Sequence, residues 1–293
     1  MSTSSLTYKF KTADVTIKLI VINTIIFLVT RIISAFFQLP IAQLMSWFVL
    51  PDAFNEFILQ PWAFITYSFL HFDFFHILFN MLLLYYFGRI ILNLFSEKRL
   101  LTIYLLGAIS GGLLFVLSYN LFPVFDFQRG YLLGASGAVT ALLVFMATYS
   151  PNTEIRVFFF NVKLWHIAVF FIVMDLIRLP TSGNAGGLLA HLGGAIFGYV
   201  YAVQLAKGNN IGAWFETLMD GVANIFKSRK DRPFKKVHRT RPAKKSTTAY
   251  QKKEDKTSHQ KKVDAILDKI SKSGYDSLTK AEKDFLFKAG NQD

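Results

Sequence analysis

Six long apolar runs constrain this chain more than anything else in it. They cover about residues 15–37, 72–94, 100–120, 134–150, 163–180 and 187–206. Each approaches the roughly 20 apolar residues that carry a helix across a bilayer. Inside lipid only the segment itself can satisfy its backbone N–H and C=O groups, so each run must be helical. The expected architecture is an all-α membrane protein, a six-transmembrane-helix bundle. Hydrophobic residues make up 53% of the chain, more than a water-soluble domain of this size needs. Cysteine is absent, which excludes disulfides and thiolate metal sites.

An even number of crossings puts both ends of the chain on one side. Lys9, Lys11, Lys18, Arg89, Lys98, Arg99, Arg156 and Lys163 fall on that side with the whole tail. The opposite loops carry Arg129 and Arg178 beside Asp52, Glu56 and Asp126. Positive charge collects on the cytoplasmic side, so a multi-pass protein of the cell (inner) membrane with both termini cytoplasmic is expected. Arg31 lies inside the first run and must snorkel or find a partner.

Three regions follow. Residues 1–14 form a polar cytoplasmic segment with no small-residue cleavage site after the first apolar run, so an uncleaved start is expected. Residues 15–207 are the six-span domain. Within it, residues 38–61 contain Pro40, Pro51 and Pro61 but also Trp47, Phe48, Phe54 and Phe57; so apolar a loop should lie in the outer membrane interface or pack on the bundle. Residues 207–293 hold 21 of the 32 Lys+Arg and 11 of the 19 Asp+Glu. This basic tail, residues 208–293, is expected to be mostly disordered, above all over residues 228–260. Short helices are expected near 211–226, 261–272 and 279–289, the last behind a Thr279–Glu282 capping box. The simplest partner for the tail is anionic lipid. No nucleic acid is expected, since the charge comes without a recognisable reading module.

Parity also sorts the polar residues. Spans two, four and six run the same way, so their starts share one depth. His76 falls near the start of span two, Ser136 near that of span four and His191 near that of span six. Polar groups at such depth usually face the bundle interior or a water-filled cavity. Serine needs a neighbouring base to become a nucleophile, and His191 is the candidate. Gly194 and Gly198 share its helical face and could let span six press on Gly137 and Ala141 of span four. A developing oxyanion would meet the backbone N–H of Ser136 at a helix start. His76 and Asn80, i and i+4 on one face, would add side-chain donors. Asp175 is the one acid well inside a span; its span runs the other way, so it is set aside and a Ser–His dyad is expected. His71 is read as a loop bond or a substrate contact, and Gly183, Gly186 and Gly187 as a connector or gate.

Several short sequences carry a resemblance: Pro61-Trp62, His71 with His76-Ile77-Leu78-Phe79-Asn80, Gly134-Ala135-Ser136-Gly137, and Ala190-His191-Leu192-Gly193-Gly194 with Gly198. Over residues 60–206 the chain resembles the rhomboid intramembrane serine proteases. The resemblance implies Ser136 as nucleophile, His191 as base, and His76 and Asn80 with the Ser136 N–H as oxyanion donors. It also implies motif roles for Gly134, Gly137, Gly194 and Gly198. The implied activity is cleavage of transmembrane protein substrates near the outer membrane face, with no metal and no cofactor. Trp62-Ala63 stands where some members have Trp-Arg, and no acid stands at Leu92 or Asn93. The tail around Ile266–Phe287 resembles a segment appended to rhomboids of Bacteroidetes-like bacteria. Two competing classes are a catalytically inactive binder of membrane clients and a small proton-coupled transporter using His71, His76 and His191. The first should lack the serine or the histidine. The second should show repeat-related broken helices, and no convincing repeat is present.

Overall fold

The computed structural model describes residues 6–126, 129–157, 159–226 and 248–290. The chain divides into two compact units, Met1–Lys227 and Ser228–Asp293.

In the first unit helices occupy all six apolar runs: α2 (Val15–Phe37), α6 (Phe74–Leu94), α7 (Glu97–Leu121), α8 (Ser136–Tyr149), α9 (Leu164–Arg178) and α10 (Ala185–Ala206). Smaller helices are α1 (Leu6–Thr12), α3 (Ile41–Met45), α4 (Phe54–Phe57), α5 (Ala63–Thr66) and α11 (Ala213–Phe226). Four of the large helices, α2, α6, α7 and α10, are long and apolar enough to cross a membrane. With 14 residues, α8 is shorter. Four of the large helices start at side-chain caps. Asp14 accepts from Ile17 N, Asp73 from His76 N, Ser96 from Arg99 N and Asn184 from Gly187 N. The Asn184 cap starts α10 early, so Gly186 and Gly187, read above as loop, are buried in its first turn.

All-α holds for the large elements, but two short antiparallel pairs stand beside them. Strand β1 (Leu50–Pro51) pairs with β2 (Tyr131–Leu132), and β3 (Glu154–Val157) with β4 (Phe160–Lys163). The first pair ties two loops at one end of the bundle. Asp52, nearly buried, accepts from Gly130 N at 2.7 Å and pairs with Arg129 at 3.2 Å; Arg129 also pairs with Glu56. Within the loop of residues 38–61, Trp47, Phe48, Ile58 and Leu59 stay exposed.

Apolar side chains cover the outside of the bundle as well as filling its core. Ile25, Leu28, Val29 and Ile32 of α2 and Phe170, Val173, Leu176 and Ile177 of α9 point outward, where only lipid rewards them. The interior is close-packed through small residues. A Cβ on Gly107 would lie 2.4 Å from that of Ala141, and one on Gly193 would lie 2.6 Å from Ser110 O. Buried Tyr67 donates to Ala108 O at 2.7 Å and buried Tyr104 to Ser68 O at 3.0 Å, fixing the loop before α6 against α7. Arg31 finds partners in aromatic faces, 5.2 Å from the Phe27 centroid and 5.9 Å from that of Phe72. Helix α11 leaves Trp214, Leu218, Val222 and Ile225 exposed along one stripe, and Lys98 and Arg99 hold it through Asp220 and Glu216.

The second unit contains α12 (Thr248–Ser273) and α13 (Lys280–Gly290). The stretch expected to be disordered lies largely outside the described residues; its end, 248–260, is instead the first half of α12. Lys, Gln and Glu are good helix formers, and their polarity says nothing against a solvated helix. The capping box is formed: Glu282 accepts from Thr279 N at 2.7 Å and Thr279 Oγ1 from Glu282 N at 3.4 Å. Lys269 adds an ion pair to Glu282 at 2.9 Å. The Thr279 backbone N–H, then Lys269, hold the Glu282 carboxyl down from 4.5 to about 2. A depressed carboxyl stabilises the fold above its ordinary value and loses that gain as pH falls through the folded one. The α12–α13 pairing should therefore loosen between about pH 4.5 and 2. Carbon-13 NMR of the Glu282 carboxyl in the whole protein checks this, and titration near 4.5 would remove the effect.

Candidate active site

The segment entering α8 has a conformation only glycine adopts easily. Gly134 has φ +119°, outside the range of ordinary L-residues. A Cβ there would also strike His76 Nε2 at 2.7 Å, and it would sit 3.8 Å from Ser136 Oγ. Gly134 therefore places His76 and Ser136 around one point of backbone. Its N–H donates to Tyr67 O at 2.9 Å. The next N–H, of Ala135, points at Nε2 of fully buried His71 at 3.5 Å. Burial and then neighbouring His76 hold the His71 imidazole down to about 3, so it is neutral and can accept. The loop-bond reading of His71 is the one the geometry supports.

Ser136 is half-buried and opens α8. Its side chain lines a cavity of about 70 Å³ together with Asn80 and His191, space enough for a water or two. The remaining wall is Leu83, Phe87, Val139, Thr140, Leu143 and Phe171. Three polar residues from three distant helices thus converge in apolar surroundings. Asn80 is buried and gives one amide hydrogen to His76 O at 2.8 Å; a side-chain amide has a second to offer. The ring of His76 lies across Gly134 and packs edge-on against His71, with centroids 5.0 Å apart.

What holds His191 over this cavity is the glycine face of α10. A Cβ on Gly194 would lie 2.0 Å from Gly137 O, and one on Gly198 would lie 2.4 Å from Ala141 O. Gly137 itself faces Ala190 O, at 3.1 Å from the position of a Cβ. Helices α8 and α10 therefore meet backbone to backbone, one turn beyond His191.

Asp175, set aside above, must be restored. Its Oδ2 is 2.9 Å from His191 Nδ1, and both side chains are largely covered. Chain direction does not exclude it. A helix running the other way brings its last turn to the level where its successor begins. Asp175 is in the last turn of α9 and His191 in the second turn of α10. An acid and a histidine each within two turns of one short connection are the signal that sequence reasoning passed over.

A second, larger hollow of about 760 Å³ lies between α6, α9 and the β3–β4 pair, with Leu82, Tyr86, Ile155, His166 and Phe170 among its walls. It shares Leu83, Phe87 and Phe171 with the small cavity. Among the described residues no group of three His, Asp or Glu side chains comes together as a metal site would require.

Fold and cavity together define a class: a multi-pass helical membrane protein with a serine and a histidine gathered between its helices. Comparison with known proteins agrees and is more specific. Residues 59–208 match the rhomboid domain, and the chain belongs to the rhomboid family. It is 30% identical over 207 residues to RHOMBOID-like protein 12, mitochondrial, of Arabidopsis thaliana, covering 67% of this chain and 59% of that one. It is 29% identical over 137 residues to the Presenilin-associated rhomboid-like protein, mitochondrial, of Bos taurus, covering 46% and 35%. It is 30% identical over 165 residues to Rhomboid protease GlpG of Yersinia pestis (strain Pestoides F), covering 54% and 52%. The chain thus spans between a third and three fifths of these relatives' lengths. Residues 250–288, most of α12 and α13, match a family of unknown function, DUF6576.

Proposed function

We propose that the protein is an intramembrane serine endopeptidase cleaving transmembrane protein substrates near the outer membrane face. The observation that carries this is the single small cavity lined by Ser136, His191 and Asn80. In this reading His191 Nε2 takes the Ser136 proton as Oγ attacks the scissile carbonyl. The Ser136 N–H, His76 and Asn80 stabilise the oxyanion. His191 returns the proton to the leaving amine, and a water admitted from outside hydrolyses the acyl-enzyme. No cofactor takes part.

All six large helices cross the inner membrane in this reading, with both termini in the cytoplasm. At 1.5 Å per residue α8 itself covers about 21 Å of the roughly 30 Å hydrocarbon core, its flanking loops the rest; with its C-terminal end at the inner surface, Ser136 would lie below the outer one. The hollow between α6 and α9 would receive the substrate span, since its walls continue into those of the cavity. The tail rests on anionic lipid.

The test is incubation of the purified full-length protein with a single-span substrate in liposomes, beside labelling with a serine-reactive fluorophosphonate. Two fragments cut near the outer end of the span, and label on Ser136, are expected. Intact substrate together with an unlabelled serine would overturn the reading.

A further inference from the structure

We infer that Asp175 is a positioning residue for His191, turning the expected dyad into a three-residue array. The inference rests on the peptidase reading above. Its physical basis is the placing of Asp175. The last turn of a helix carries the negative end of the macrodipole, so a carboxylate there is disfavoured. A charge out of reach of water is disfavoured further unless it is paired. Asp175 meets both conditions, being 6% exposed in the last turn of α9. The bond its side chain makes is to His191 Nδ1, at 2.9 Å.

That bond has a direct chemical consequence. A carboxylate can only accept, so Nδ1 carries the hydrogen and the lone pair of the neutral ring is left on Nε2. Nε2 is the nitrogen that must take the proton from Ser136 Oγ. The pairing also fixes the plane of the ring and stabilises the imidazolium formed when that proton arrives. Asp175 takes no proton itself: the Nδ1 hydrogen stays on the ring and the serine proton passes to Nε2 and on to the leaving amine. The glycine face of α10 sets the distance between α8 and His191, and Asp175 sets the rotation and tautomer of the ring.

The experiment compares Asp175→Asn, Asp175→Glu and wild type as full-length protein. Three quantities are read: kcat and KM on a single-span substrate, thermal unfolding, and the nitrogen-15 histidine spectrum. Asp175→Asn preserves shape but presents a donor where the ring needs an acceptor. A loss of about 10²- to 10⁴-fold in kcat is expected, the upper figure being that of the same change in a water-soluble serine protease. KM should stay within about twofold and unfolding unchanged. Asp175→Glu should recover part of kcat. The wild-type spectrum should contain one ring with a strongly hydrogen-bonded Nδ1–H that disappears in Asp175→Asn and persists in Ser136→Ala. Wild-type kcat in an active, folded Asp175→Asn protein would overturn the inference and leave the peptidase reading standing. A wild type that cuts nothing but shows the Nδ1–H signature, lost on Asp175→Asn, would sink the peptidase reading and uphold the positioning of the ring.

Discussion

Replacing Ser136 by alanine is expected to lower kcat by about 10⁶-fold, and replacing His191 by alanine by about as much, while the double variant should be no worse than either. On the peptidase reading the three numbers belong together, because nucleophile and base would act as one unit. Without the base the serine hydroxyl is too weak a nucleophile, and without the hydroxyl the base has nothing to activate. Additive losses would mean that the two residues act separately and that the shared cavity is a coincidence. Fragment release from a single-span substrate over long incubation measures all three. Ser136→Ala leaves the walls of the cavity in place, so its unfolding temperature should match that of wild type. A loss of cleavage without a loss of stability separates a chemical role from a structural one.

The second large effect is on stability. Gly194→Ala should cost about 3 kcal/mol, near the upper end of what overpacking does. It should lower the unfolding temperature in detergent by roughly 10 °C. In an exposed helix the same change would gain up to about 1 kcal/mol through propensity, so the sign itself is informative. It reverses because a Cβ would lie 2.0 Å from Gly137 O, and a backbone carbonyl cannot swing aside as a side chain does. The helices must part, and His191 moves off Ser136 with them, so activity should fall alongside. Gly183→Ala is the control: nothing lies within 4 Å of its Cβ position. An unfolding temperature within a degree or two of wild type for Gly194→Ala would mean that α8 and α10 are not in backbone contact.

Much of this was legible in the sequence. Lipid-facing helices announce themselves by composition, so all six large helices fall within a few residues of the apolar runs. The parity of the spans put Ser136, His191 and His76 at one level, and Asn80 followed from helical spacing. The glycine spacing after His191 anticipated the seam on Gly137 and Ala141. The failures have physical causes too. Strands β1 and β2 are two residues each and about eighty positions apart, too short for any period to show. The first half of α12 is mostly polar, which suggests disorder, yet its Lys, Gln and Glu residues favour helix. Chain direction separates Asp175 from the site on paper, but the end of a helix matters more than its heading, and the two side chains meet.

Helix α8 opens on Ser136 and, with 14 residues, is the shortest of the six large helices; its largest packing surfaces are α10 and α7. Synthesis runs from the N-terminus, so α7 is already in place when α8 emerges, but the glycine seam of α10 is some forty residues away on the ribosome. Until that seam arrives, α8 lacks one side of its seat. The arrival of α10 seats α8 and delivers His191 in one event. On the peptidase reading, a nascent chain would hold Ser136 without its base until α10 is made, so the order of synthesis would itself withhold cleavage until the domain is complete.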